Sequence, residues 1–161
     1  MPEARPLNLI REALKDRLAN YQPLVEFEDQ AGRATQFFFL DEDDDRKFPV
    51  KPTSEDSPGI SIYPSGFDER WDSNVFKERG LLFSIQGLVA SIDFFDTPRI
   101  LDFYDETLNA IYSGTRKLGL PFVRQFRDVS ATFPPWRDGG WFFQSFELTL
   151  AVEFQRLTQV T

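Results

Sequence analysis

The side chains with the most obvious chemical potential are carboxylates, and the densest group is Asp41-Glu42-Asp43-Asp44-Asp45. Asp41, Asp43 and Asp45 stand at the spacing of the first three oxygen ligands of an EF-hand loop. The match then fails: Arg46 occupies the position where the sharp turn needs glycine, and Pro52 occupies the one where a bidentate glutamate closes the cage. The run reads as a solvated acidic loop facing a pore or a partner, with adventitious divalent binding as the lesser alternative. A second group, Asp93, Asp96 and Asp102, could bring carboxylates together beside a helix start, but acids at that position are explained by the helix dipole. No nucleophile or base accompanies them.

The chain has no histidine and no cysteine. The usual general base near neutral pH, the thiolate nucleophile and the commonest zinc ligands are therefore missing, and any hydrolase would have to run on carboxylates or lysine. There is no glycine-rich phosphate loop, dinucleotide fingerprint or aromatic-basic stacking platform. No catalytic residue, metal ligand or cofactor is assigned, and the chain is not expected to be an enzyme.

A formal net charge of −8 argues against wrapping nucleic acid, because affinity for phosphates comes largely from Lys and Arg displacing counterions. It suits a channel through which DNA slides without sticking. The 161 residues are enough for one domain, 1–161, with its own core. With 18 Phe, 3 Trp and 4 Tyr but one Met, that core is built of flat rings, with some rings left over to anchor partners. No apolar run is long enough to span a membrane, and no apolar stretch follows Met1 as in a signal peptide, so a cytoplasmic protein is expected.

The element order follows from periodicity. Leu7, Ile10, Leu14 and Leu18 form one helical stripe, predicting an amphipathic helix over 7–21 entered after Pro6. Residues 24–28 and 34–40 flank a turn at 29–33 and read as a hairpin, with Phe37, Phe38 and Phe39 in a strand buried on both faces, one of which a neighbouring subunit could cover. Residues 60–63 read as a short strand closed by Pro64, 65–78 as a mostly polar segment forming a turn of helix or a loop over the sheet, and 80–92 as the central strand, in which Gly87 marks a bulge or a close crossing. Thr97 as cap and Pro98 at the first helical position open a second helix running to about Ser113, with Leu101, Tyr104, Leu108 and Ile111 as its buried stripe. After a strand in 122–129, a Pro/Gly connection over 133–140 leads to the last strand. There the even positions from Phe142 to Phe154 are apolar at all but Gln144, a period of two that demands a covering layer. The expected fold is a single α+β domain: a mainly antiparallel sheet of about four to six strands with two main helices packed on it.

Phe133, Pro134, Pro135 and Trp136 lie in a segment that cannot easily reach its own core, so they read equally as a partner anchor or as a lid over the sheet. Trp71, with Arg70 beside it, is judged the same way.

The order of elements resembles the phage tail terminator or tail completion family. It is carried by the helix at 7–21, Pro58-Gly-Ile-Ser-Ile-Tyr-Pro64, Arg79-Gly-Leu-Leu-Phe-Ser-Ile-Gln-Gly87, the helix from Thr97 and the long last strand. The resemblance implies a non-catalytic virion neck component, assembled in the host cytoplasm. It would form a homo-hexameric ring that caps the tail tube protein and meets the head-tail connector or stopper, with the tail sheath a further partner and DNA passing through unbound. The alternatives are another connector ring, a stopper or adaptor, and an acidic immunity-type protein that inhibits a basic toxin.

Overall fold

The computed structural model describes residues 5–39, 53–71, 77–114 and 118–155, with the backbone alone at 68–71, 77–79 and 155. The acidic run at 41–45 lies outside the described residues. The chain forms an α+β fold with three helices and a six-stranded, mostly antiparallel sheet, as its sequence predicts.

Helix α1, Pro6–Asn20, buries Ile10, Leu14 and Leu18 of the stripe read from the sequence, whereas Leu7 in its first turn is exposed. The expected hairpin that follows does not form. Pro23 instead starts a single helical turn, α2, Gln22–Val25, which buries Leu24. Only one antiparallel bridge, Glu28 to Ala34, remains of the hairpin. The reason is Asp29, whose carboxylate accepts the backbone N–H groups of Ala31 and Arg33 at 3.0 and 2.9 Å and so closes a side-chain-capped loop. Strand β1, Gln36–Phe39, then pairs in parallel with β2 at the sheet edge. Phe38 is buried within the chain, whereas Phe37 and Phe39 are half-buried.

Strand β2, Gly59–Trp71, is longer than predicted, running through Pro64 with a register shift between Pro64 and Gly66. A bulge of this kind accommodates the missing N–H, so the proline does not end the strand. The supposed loop at 65–78 is largely the two arms of the β2/β3 hairpin. The backbones of these arms pair from Asp68 opposite Gly80 to Trp71 opposite Lys77. Strand β3, Lys77–Ile92, is central, between β2 and β6, Trp141–Gln155. Gly87 is a close crossing: a Cβ there would collide with the ring of Phe146 on the paired position of β6.

Helix α3 spans Thr97–Ile111, and its cap is Asp96, one residue before the predicted Thr97. Asp96 accepts the N–H of Arg99 at 3.3 Å and pairs with its guanidinium at 3.1 Å. The buried stripe is Ile100, Phe103, Thr107, Ala110 and Ile111; Leu101 is exposed and Tyr104 half-buried. Strand β4, Val123–Thr132, pairs with the second half of β6. The expected connection at 133–140 contains a further strand, β5, Pro135–Asp138, which pairs with the first half of β6 through a turn at Gly139 and Gly140, both at positive φ.

The two faces of the sheet differ. The helices cover the face of Leu81, Phe83, Ile85, Val89, Phe146, Leu148, Leu150 and Val152, which form the main core with α1 and α3. The opposite face carries no helix among the described residues. A small cluster of Leu88, Ala90 and Phe143, flanked by Trp136 and Trp141, lies at one end of it. The rest is a polar ladder in which Gln86 donates to Tyr63 at 3.1 Å and Gln125 and Arg127 both hold Glu153 at 3.0 Å.

Candidate assembly surfaces

No group of three or more His, Cys, Asp or Glu that could hold a metal exists among the described residues. The three aspartates considered for paired-carboxylate chemistry have separate tasks. Asp93 sits in the left-handed region at φ 74 in the turn after β3, Asp96 caps α3, and Asp102 is exposed on that helix. The deepest carboxylate, Asp29, is spoken for: besides its two backbone donors it pairs with Arg33 at 2.7 Å and accepts the Ser57 hydroxyl at 3.1 Å. Ser57 Oγ in turn accepts the N–H of Ala90 at 2.8 Å, so one acid ties the 29–33 loop to the start of β2 and to β3. This is a structural clasp, not a reactive pair.

What the fold does assemble is surface. Residues 133–136 come to lie along the first half of β6, where both the backbone N–H and the hydroxyl of Ser145 donate to the carbonyl of Pro134. Pro134 and Pro135 are exposed. Trp136 stacks on Phe143 at 5.2 Å with the rings 4° from parallel, so it does act as a lid over its own sheet. Phe133 packs edge-on to Tyr104 of α3 at 5.1 Å yet stays 40% exposed. Trp71 and Arg70 are placed elsewhere, on the far arm of the β2/β3 hairpin at the opposite end of the sheet, and so do not join this group.

Four more apolar residues lie at the same end, three of them not singled out from sequence and the fourth, Leu101, expected to be buried. Ile92 is 51% exposed, Phe94 47%, Phe95 37% and Leu101 44%. Phe95 meets Phe142 edge-on at 4.9 Å, and the Arg137 guanidinium lies over the other side of Phe142 at 4.5 Å. Gln144 reaches the Thr97 hydroxyl at 3.0 Å, fastening the start of α3 to this end of β6. The available signal was Phe94-Phe95 between two aspartates, after the alternation of β3 has ended and before a helix cap. Exposed acids ring the patch: Asp93, Asp102, Asp105 and Asp138. Burial, followed by the charges of Asp128 and Asp105, pushes the Tyr104 hydroxyl above its ordinary range. At the far end of α3, burial lowers the pKa of Arg17, which donates to the carbonyl of Ile111 at 2.6 Å and lies over Phe126.

These features define a class: an α+β subunit with helices on one sheet face, a polar ladder on the other, and an acid-rimmed apolar patch at one end. The sequence matches no protein-family model and no curated protein. The fold is similar to that of a chain in a solved virion of a native gene transfer agent (GTA) particle, with a TM-score of 0.57 at 10% identity over 93% of this chain and 97% of that one. No helix among the described residues is long and apolar enough to cross a membrane.

Proposed function

We propose that this chain is a structural virion protein which forms a ring at the head-proximal end of a phage tail, caps the tail tube and joins it to the head connector. The observation that carries the reading is the near end-to-end match in fold to a chain of a phage-like virion. Element order in the sequence points to the same class. Surface chemistry supports it: a concentration of uncovered rings suits protein contacts.

In this reading the partners are further copies of the chain, the tube protein and the connector or stopper, with the tail sheath as an outer neighbour. The acidic surplus, including the run at 41–45, keeps DNA moving through the ring without specific binding. The protein is assembled in the host cytoplasm, needs no cofactor and performs no catalysis.

The test is electron microscopy of purified tail tubes incubated with the chain. Rings seated on one end of each tube, with further tube growth arrested, are expected. Tubes that lengthen unimpeded with bare ends would sink the capping role, and binding to isolated connectors alone would mark a stopper or adaptor.

A further inference from the structure

We infer that the acid-rimmed apolar patch at the end of the sheet is a docking surface for a protein partner that brings arginine side chains set among apolar ones. The inference rests on the virion-assembly reading above and names the chemistry of one neighbour in it.

The patch is continuous. Phe94 and Phe95 follow β3, and Phe95 meets Phe142 of β6 edge-on at 4.9 Å. Thr97, fastened to Gln144 of β6 at 3.0 Å, lies one helical turn before Leu101. Leu101 in turn lies one turn before Tyr104, whose ring meets Phe133 at 5.1 Å. Of the eight large apolar side chains left exposed among the described residues, five belong here: Ile92, Phe94, Phe95, Leu101 and Phe133. Single exposed apolar residues are ordinary, whereas a contiguous group with a polar rim marks a contact.

The backbone under Phe94 and Phe95 is fixed. The N–H of Phe94 donates to the carbonyl of Ile92 at 2.9 Å around Asp93 at φ 74, a γ-turn of the rare, strained kind. The Ser91 hydroxyl donates to the carbonyl of Phe94 at 2.6 Å, and the N–H of Thr97 to the carbonyl of Phe95 at 3.0 Å. Two exposed rings on a loop already tied at both ends can be bound without the cost of ordering it.

Charge and ring geometry select the occupant. Asp93, Asp102, Asp105 and Asp138 are exposed around the rings. The neighbouring bases are engaged within the fold: Arg99 pairs with Asp96 at 3.1 Å and donates to the carbonyl of Glu28 at 2.7 Å, while Arg137 lies over Phe142 at 4.5 Å. The rim therefore calls for positive charge from outside. Arg137 displays the contact on the molecule itself, a guanidinium over a ring of the patch. One planar guanidinium can cover a ring face and hold a carboxylate together, which the compact ammonium of lysine does less well. A second copy joined through the same surface would set acid against acid, and the acids would repel nucleic acid.

The experiment is fluorescence anisotropy of the purified full chain with a short dye-labelled peptide of leucine, serine and arginine, and with versions carrying lysine or neutral citrulline in place of arginine. Saturable binding of the arginine peptide, weakening as salt rises, is expected. The lysine version should bind about fivefold more weakly and the citrulline version should not saturate. Phe94→Ala and Asp102→Asn should each weaken arginine-peptide binding by about fivefold, whereas Val129→Ala on β4 should leave it unchanged. Far-UV circular dichroism checks that Phe94→Ala folds; if it does not, Asp102→Asn decides. No saturable binding, equal binding of the arginine and lysine versions, or binding indifferent to Phe94→Ala and Asp102→Asn overturns the inference. Sedimentation showing that these two variants dissociate an assembly of the chain with peptide binding unchanged also overturns it, and gives the patch to a second copy. Tail tubes take no part in these measurements: capped tubes without peptide binding sink this surface and leave the proposed function standing, and peptide binding without capping sinks the proposed function alone.

Discussion

Gly87 shows how a single missing side chain sets a packing distance. The ring of Phe146 fills the space where a Cβ would stand, so Gly87→Ala must displace a fully buried phenylalanine. A loss of about 2 kcal/mol is expected in urea unfolding, the ordinary cost of overpacking a core. Asp29 acts by polar satisfaction. Asp29→Ala leaves two backbone N–H groups, Arg33 and Ser57 without their acceptor and should cost about 3 kcal/mol, read as a lower urea midpoint. Tyr104 gives a pH signature. Its hydroxyl is held above its ordinary value in the fold, so the unfolded chain ionises first as pH rises. The contribution is therefore fully present below about pH 10 and declines above it, and Tyr104→Phe should flatten that alkaline fall in thermal stability. Gly87 was legible as a close crossing because glycine interrupts an otherwise apolar face. The role of Asp29 was not, because its partner Ser57 lies 28 residues away.

Elements were legible where one periodicity had no rival. The stripe of α1 and the alternation of β3 and β6 bury most of the residues the pattern names, Leu7 and Phe142 at the element starts excepted. Helix α3 is the informative departure. Leu101-Tyr104-Leu108 and Ile100-Phe103-Thr107 are equally periodic, and only the position of the sheet chose the second. The cap moved by one residue for a related reason: the Thr97 hydroxyl is engaged by Gln144 of β6, leaving Asp96 to serve the helix. Asp96→Ala should cost about 1 kcal/mol of thermal stability and fray the first turn of α3. Strand β5 was hidden by Pro134 and Pro135 at its start, which are tolerated because it lies at the sheet margin. Trp136→Ala strips the ring stacked on Phe143 and uncovers the small cluster beneath, so a loss of about 2 kcal/mol is expected even before any partner is considered.

At the scale of the whole molecule, charge is the property that reaches furthest. Replacing the five acids at 41–45 by their amides takes the formal charge from −8 to −3. In filter binding the native chain should not retain duplex DNA at physiological salt, and the neutralised variant should retain more; equal retention would remove the non-stick role of these acids. Composition and periodicity by themselves determined the α+β class, the central and last strands, the two long helices and the lack of histidine or thiol chemistry. These depend on local pattern and residue type, which a single chain displays in full. Only the tertiary structure decided which helix stripe faces inward, which charged segments pair as strands, and that Phe94, Phe95, Leu101 and Phe133 share one end. Those outcomes come from contacts between residues far apart in sequence, where several local patterns are equally acceptable and packing against a common sheet selects one.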